Sequence, residues 1–456
     1  MRGVRIVAAH CLLWCLALLP LLGWSGHTLA AWQTRGLFSW LGFDYAYFSA
    51  AALALVHRGP PAIYDAGAIA FYSERFTAYY VGPGRPLIVP PPWPPVFFVL
   101  LTPFAVLPPP IGFATWTAVN LGMAAHVANR LAAPFRSRRA VELVAIGFAP
   151  VVYTLFFGQP SILWMYALYQ ACRSFARGAD LRAGLWSGAL LIKPQYALFL
   201  ALALAYKARW AALAGMALAG LGLLVSTVLL LGPSGTRVYI DSVRSLTGFR
   251  VAESLIAPEQ MISWRGFLLN VLPSTIGEQQ GMIITVALSA LTASVLLLIW
   301  RGPWQPQRSR FAAQLLATML VTMLASFHNH THGATLLLVP AMLLAAQRQC
   351  PPPLRWLMWL YVVLPPLVFL PSNDAIRLST TFVILMTVTL YTLVVYELGG
   401  AFREAATPYD QAPGRARPSW STPTNSTVPG AGASPANPAN PANPADPAVA
   451  GPKRST

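Results

Sequence analysis

Long apolar stretches separated by short polar segments are the dominant pattern in this chain of 456 residues. A helix needs about 20 apolar residues to cross the hydrocarbon layer of a bilayer, and several stretches approach this length. They lie at about residues 4–24, 111–131, 141–157, 161–176, 211–231, 282–300, 311–327, 333–347, 354–370 and 376–397. The pattern predicts an all-α, polytopic integral membrane protein.

The first apolar stretch has two interpretations, because basic residues precede it and small residues follow it, as in a signal peptide. The hydrophobic region of a signal peptide is typically about 7–15 residues long. The apolar run from Ile6 to Trp24 is longer than that. We therefore interpret it as an uncleaved first span.

Three shorter apolar pieces, at residues 96–107, 183–192 and 196–206, are bounded by proline and are too short to cross a bilayer comfortably. Broken or re-entrant helices are tolerated in a membrane only where protein or a water-filled cavity surrounds them. If the piece at 96–107 dips into the membrane and returns, the pattern predicts about 12 transmembrane helices.

Composition and charge support a membrane protein and set its orientation. The chain is 56% hydrophobic and 10% charged, with a mean hydropathy of +0.55. Its net charge of +17 arises from short basic clusters between apolar stretches, such as Arg136–Arg139 and Arg301–Arg310. This is the positive-inside pattern, which predicts that these clusters and both termini are cytoplasmic. No basic stripe of the kind that binds nucleic acid is present, so we expect no nucleic-acid partner.

The same orientation places two long segments outside the cytoplasm. We predict a transmembrane domain over residues 1–402, with a structured first extracytoplasmic loop at about 25–95 and a second loop at about 232–281. The remaining residues, 403–456, are rich in Pro, Ala, Ser and Asn. Such a composition cannot bury a core, so we predict a disordered cytoplasmic tail.

Asp44 is the first acidic residue in a chain that has only fourteen, and aromatic residues flank it in Phe43-Asp44-Tyr45. A carboxylate at the mouth of a membrane protein is costly to desolvate. One interpretation is an N-cap for a helix that begins near Tyr45. The other is a general base that takes a proton from an acceptor hydroxyl while a phosphate leaves a sugar carbon. Such a reaction needs one carboxylate, because a phosphate leaving group requires no general acid.

Lys193 interrupts an apolar segment directly before Pro194, where a helix must break. A cation at membrane depth is expensive unless it is paired, and it is a functional candidate by default. The phosphate of a membrane-anchored lipid would be a suitable partner. The alternative is a lysine that extends from a helix end to the membrane interface.

Three of the seven histidines, His328, His330 and His332, follow the apolar stretch that ends at Phe327. In extended backbone, this alternate spacing would direct all three side chains to one side, as in a zinc site. No acidic or thiolate ligand is evident nearby, so we expect no metal here. Hydrogen bonding to phosphate or to sugar hydroxyls is the interpretation that we favour, and packing at the interface is the alternative.

Four further residues on the same predicted face complete the candidate site. Arg265, in Ser263-Trp264-Arg265-Gly266, is a candidate for binding phosphate. Gln159, Asp65 and Tyr45 are weaker candidates for contacts with substrate. A solvated loop charge is the simpler interpretation of Asp65.

The ordered series of these motifs resembles glycosyltransferase family 87, whose members belong to the GT-C class of polytopic transferases that use polyprenyl-phosphate sugars. The resemblance covers about residues 40–345. It rests on Phe43-Asp44-Tyr45, Ile63-Tyr64-Asp65, Trp93-Pro94-Pro95, Gly158-Gln159-Pro160-Ser161, Lys193-Pro194 and Ser326-Phe-His328-Asn-His330. The chain departs from the family at Gly333, where members often carry an acidic residue.

The resemblance implies an inverting transferase with a GT-C-like fold in a bacterial inner membrane, and an active site on the extracytoplasmic face. The donor would be a polyprenyl-phosphate hexose, with mannose expected, and the acceptor a hydroxyl of a lipid or glycan. Asp44 would be the base, while Lys193, His328 and His330 would hold the donor phosphate. The lipid-linked sugar is a co-substrate, and neither a cofactor nor a divalent metal is required.

The main alternative is a transporter or lipid flippase, because broken helices and a lysine at the membrane midplane also suit that class. Transporters usually contain repeated halves, and no second Lys-Pro motif or histidine cluster occurs in this sequence. A structural assembly partner is a further alternative, but it leaves Asp44 and Lys193 without a role. The sequence does not predict an oligomeric state.

Overall fold

A computed structural model describes residues 41–80, 91–244, 257–273, 275–347, 350–372 and 375–400. The predicted first span and the predicted tail lie outside these residues. Throughout the described part the chain is helical, and its one pairing of extended backbone is an isolated bridge between Met261 and His330. The prediction of an all-α fold is therefore confirmed.

Sixteen α-helices occur in the described residues, several of them joined by 3₁₀ turns. They are α1 (Phe43–Arg58), α2 (Ala66–Tyr80), α3 (Pro95–Ala105), α4 (Pro109–Ala132), α5 (Arg138–Ile146), α6 (Ala149–Phe157), α7 (Ser161–Ala176), α8 (Asp180–Gly188), α9 (Pro194–Tyr206), α10 (Trp210–Arg244), α11 (Trp264–Val271), α12 (Glu278–Ile299), α13 (Ser309–Ala325), α14 (Leu338–Ala345), α15 (Pro352–Ser372) and α16 (Ala375–Leu398).

Three of these helices, α10, α12 and α16, are long and apolar enough to cross a membrane. Two bent pairs, α3 with α4 and α5 with α6, raise the number to five if each pair is one span; their bends are 117° and 50°. The prediction of about 12 spans is not confirmed. The predicted spans differ from the observed helices because proline and glycine divide many apolar stretches into shorter helices.

Basic residues gather at one end of the helical bundle, where the loops after α7, α9 and α12 meet. Ion pairs and hydrogen bonds from basic and amide side chains join these loops to one another and to the end of α16. The contacts are Arg209–Asp180, Lys207–Gly302, Gln307–Ala176 and Arg310–Glu397. We call this the basic end.

The opposite end of the bundle is built from helix ends and broken segments. The predicted first loop is largely helical in its described part, because α1, a 3₁₀ turn at Pro60–Tyr64, and α2 lie within it. The second predicted loop is also partly helical. Helix α10 continues past a kink at Gly232, which has a φ of 67° and precedes Pro233, and α11 follows later.

Candidate active site

Asp44 lies in the first turn of α1, which begins at Phe43, two residues earlier than predicted. The N-cap is Gly42, with a left-handed φ of 72°, and no side chain caps the helix. The interpretation of Asp44 as an N-cap is therefore wrong. The amide of Gly42 donates to Phe156 O at 2.8 Å and so joins the start of α1 to the end of α6.

Gly158 brings Gln159 next to Asp44. It ends α6 with a left-handed φ of 75°, a conformation that favours glycine. A Cβ atom at this position would lie less than 3.0 Å from Tyr45 Cβ, so the close approach to α1 also requires glycine. The side chain of Gln159 then hydrogen-bonds to the Asp44 carboxylate.

Lys193 lies in the break between a 3₁₀ turn at Ala189–Ile192 and α9, and it has extended backbone. Pro194 causes this, because proline disfavours helical backbone in the residue before it. The Lys193 ammonium is 4.8 Å from the ring centre of Trp93, 5.1 Å from that of Trp164 and 5.5 Å from that of Tyr196. Only 8% of the residue is exposed, so the ammonium is held by aromatic rings and does not extend to the interface.

The three histidines lie side by side after α13, in the segment that we call the histidine segment (residues 328–332). Ring centres of His328 and His330 are 5.2 Å apart, and those of His330 and His332 are 5.9 Å apart. In the part of the chain that the structure describes, no group of three or more His, Cys, Asp or Glu residues could hold a metal ion. The histidines are thus grouped as the spacing predicted.

Lys193 Nζ lies 3.5 Å from His332 Nε2, and two hydrogen bonds also join the start of α9 to the histidine segment. Gln195 Nε2 donates to His328 O at 3.1 Å, and the Tyr196 hydroxyl donates to Asn329 Oδ1 at 2.8 Å. Gly333 packs against this second bond, and a Cβ atom there would lie less than 3.0 Å from both bonded side-chain oxygens. The departure from the family at this glycine therefore has a packing reason in this chain.

Arg265 is fully buried at the start of α11 and supports the histidine segment from the other side. Its Nη1 donates to Phe327 O at 3.2 Å, and its guanidinium lies 4.9 Å from the centre of the Phe327 ring. The residues before it pair with the same segment, since Ile262 N donates to Asn329 O at 2.8 Å. Arg265 thus contacts the backbone that carries the histidines.

Burial shifts the protonation of both charged residues at the centre of the site, which lie outside the candidate membrane spans. It raises the pKa of Asp44 to about 6, against the opposing effects of the Gln159 hydrogen bond and the Lys193 charge. It lowers the pKa of Lys193 to about 7, against the opposing effect of the Asp44 charge. Burial and then the Lys193 charge hold the pKa of His332 well below its usual value. The site therefore contains a carboxylate and an ammonium that both titrate near neutral pH.

The two weakest candidates have other contacts in the structure. Asp65 is exposed, and its Oδ1 accepts a hydrogen bond from Ala68 N at 2.6 Å, so it caps α2. Tyr45 is fully buried, and its hydroxyl donates to Phe104 O at 2.9 Å. Asp65 is therefore a helix cap, and Tyr45 joins α1 to α3.

Sequence reasoning did not single out the aromatic residues around Lys193. Trp93 and Trp164 stack on each other with ring centres 5.2 Å apart, and Trp164 meets Tyr196 edge to face. A signal was present for two of the three, since Trp93 begins Trp-Pro-Pro and Tyr196 follows Lys193-Pro194 closely. Only the fold shows that these rings surround one ammonium.

Comparison with known proteins identifies the class of this chain. The sequence model of glycosyltransferase family 87 matches residues 92–326, just over half of the chain. Gln159, Lys193 and Arg265 lie within the match, whereas Asp44 precedes it and the histidine segment follows it. Searches of curated proteins and of solved structures found no match. The family is one of enzymes, which decides against the transporter interpretation. The chain belongs to glycosyltransferase family 87, and it is a membrane glycosyltransferase.

Proposed function

We propose that this glycosyltransferase transfers a hexose, with mannose expected, from a polyprenyl-phosphate donor to a hydroxyl group of a lipid or glycan. The observation that carries the proposal is the placement of a half-buried Asp44 and a buried Lys193 together, beside Gln159 and the histidine segment. One group accepts protons and the other attracts phosphate, and the transfer requires both properties.

Asp44 is the general base in this proposal. Its carboxylate takes the proton of the acceptor hydroxyl as the acceptor oxygen bonds to C1 of the sugar. The bond between C1 and the phosphate oxygen breaks at the same time, and the phosphate leaves with the electron pair. Attack on the face opposite to the leaving group inverts C1. A base is most effective when its pKa lies near the working pH. Burial raises the pKa of Asp44 toward that pH.

Lys193 and His332 interact with the departing phosphate. The ammonium supplies positive charge that stabilises the polyprenyl phosphate as it forms, and a desolvated site strengthens this attraction. Three aromatic rings hold the ammonium in position. His328 and His330 lie beside this pair and supply ring nitrogens for further hydrogen bonds, while Arg265 positions the segment that carries them.

Two buried polar atoms at the site support the binding of a hydroxylated substrate. Gln159 Oε1 and His328 Nδ1 are inaccessible to solvent and have no hydrogen-bond partner among the described residues. Buried polar groups are normally hydrogen-bonded, so such atoms at a site are suited to a ligand. Sugar hydroxyls both donate and accept hydrogen bonds, and they would satisfy both atoms.

We place the enzyme in a bacterial inner membrane with the candidate site on the extracytoplasmic face, and the charge distribution supports this orientation. Arginine and lysine loops are retained on the cytoplasmic side of membranes, so the basic end would be cytoplasmic. The termini would lie on that side as well. A polyprenyl-phosphate donor would then reach Lys193 from the opposite leaflet.

The test is transfer of labelled hexose from polyprenyl phosphate by membranes that contain the full chain. We expect transfer by the wild type and a loss of about 10²- to 10⁴-fold for Asp44→Asn, which is the range for general-base catalysis. Asp65→Asn is the matched control, because asparagine also caps helices. Wild-type transfer by Asp44→Asn would refute the base, and absence of transfer from every polyprenyl-phosphate hexose by the wild type would refute the donor class.

A further inference from the structure

A large apolar cavity lies between α5, α13, α14 and α15. Its volume is about 890 Å³, which is within the range of about 300–1,000 Å³ for small-molecule sites. Leucine, alanine, valine and aromatic side chains make most of its wall, and none of the described residues that line it is acidic. The cavity contains none of the candidate catalytic residues.

The cavity runs from the middle of the bundle toward the basic end. Leu337 and Leu338, which follow the histidine segment, line its inner part. Arg136 precedes α5 and Arg355 lies in the first turn of α15, and both also line the cavity. Helices α5 and α6 together separate Arg136 from Gln159 by about 25–30 Å, from a rise of about 1.5 Å per residue. The arginines are therefore far from the proposed site of sugar transfer.

One wall of the cavity is open toward the surroundings of the protein. Trp356 and Leu360 of α15 line it, yet 68% of Trp356 and 38% of Leu360 are exposed. In a membrane protein, large apolar side chains exposed in this way face lipid. A hydrocarbon chain could enter from the bilayer without crossing a polar barrier.

The two arginines make one end of the cavity positively charged. Arg136 and Arg355 are both among the residues that line it, and none of its described lining residues carries a negative charge. The Arg355 side chain also donates a hydrogen bond to Gln347 O at 3.1 Å. Ser137 adds a hydroxyl beside Arg136.

We propose that this cavity binds one membrane phospholipid with an anionic headgroup. The acyl chains occupy the apolar interior, and the phosphate and headgroup lie between Arg136 and Arg355. The charge complementarity selects this occupant, since basic pockets between membrane helices bind anionic headgroups. The site is separate from the donor site, because its charged end is the basic end and Lys193 lies at the other.

The experiment measures retained lipid by native mass spectrometry of the purified full chain in phosphatidylcholine nanodiscs titrated with phosphatidylglycerol. We expect one retained phosphatidylglycerol. Arg136→Ala and Arg355→Ala should each weaken its binding about five-fold, the equivalent of about 1 kcal/mol per basic residue near an anionic surface. Ala341→Trp, which places a large ring inside the cavity, should reduce retention.

The matched control is Arg301→Ala, since Arg301 is an exposed arginine at the same end that does not line the cavity. Its lipid retention should equal that of the wild type. Equal binding by the double variant Arg136→Ala/Arg355→Ala would overturn the proposal, as would equal retention of phosphatidylcholine. Retention of polyprenyl phosphate in preference to phosphatidylglycerol would also overturn it and would assign the cavity to the donor. No result here depends on sugar transfer.

Discussion

The ammonium nitrogen of Lys193 lies 3.5 Å from Nε2 of His332, a residue 139 positions later in the chain. When Lys193 is protonated its ammonium can only donate, so Nε2 then accepts and the ring hydrogen of His332 is on Nδ1. This contact joins the start of α9 to the histidine segment. It holds the cation where Asp44 also interacts with it.

Replacing Lys193 tests its role toward the donor. Lys193→Met keeps a long side chain among the aromatic rings but removes the charge. Hydrogen bonds to charged groups contribute about 1.5–3 kcal/mol, so we expect the KM for the donor to rise about ten- to hundred-fold. Steady-state kinetics with varied donor concentration measure this. Lys207→Met, at the basic end, is the control. An unchanged KM would remove Lys193 from the donor site.

The pH dependence of transfer follows from the two shifted groups. The base must be deprotonated, so kcat/KM should rise with pH through about 6, the raised pKa of Asp44. Lys193 must be protonated to attract the donor phosphate. The value of kcat/KM should therefore fall above about pH 7, the lowered pKa of Lys193. Rates measured from about pH 5 to about pH 9 should give a bell-shaped curve. A flat profile would contradict both assignments.

We expect Gln159 to lower the pKa of the Asp44 carboxylate. Its hydrogen bond favours the charged form and so lowers the pKa of Asp44. In Gln159→Leu this bond is lost, and the acidic limb of the pH profile should move to higher pH, with a lower maximal rate. Gln307→Leu removes a glutamine that bonds Ala176 O at the basic end, and it should leave the profile unchanged. An acidic limb that does not move in Gln159→Leu would show that Gln159 does not act on Asp44.

Gly333 should be required for stability. A Cβ atom there would overlap Asn329 Oδ1 and the Tyr196 hydroxyl, which bond each other. We expect Gly333→Ala to destabilise the protein by about 1–3 kcal/mol, the usual cost of overpacking. Thermal unfolding in detergent measures this. Gly222→Ala, in α10 with open space around the added methyl, should be neutral or stabilising. Equal melting temperatures for the two variants would contradict the packing argument.

The first loop shows what the local sequence pattern can predict about a helix and what it cannot. The sequence predicts a helix that begins near Tyr45, and α1 is present, but it starts at Phe43, two residues earlier than expected. An N-cap depends on the backbone of a single residue, and Gly42 takes the left-handed conformation because its amide bonds Phe156 O in α6. That partner is distant in sequence, so local reasoning could not assign the cap. In the second loop, helical backbone resumes after the break at Gly232 and runs to Arg244, which the local pattern did not predict.

The sequence by itself determined that the protein is helical and membrane-embedded. Runs of about 20 apolar residues, and the scarcity of charged residues within them, are local properties of the chain. It also identified Asp44, Lys193 and the histidines, since charges that are costly to bury are conspicuous in such a chain. Only the tertiary structure decided that Asp44 lies close enough to Gln159 and Lys193 to interact with both, and that Trp93, Trp164 and Tyr196 surround the ammonium. Contacts between residues on different helices depend on where each helix breaks and how it packs, and no local pattern contains that information.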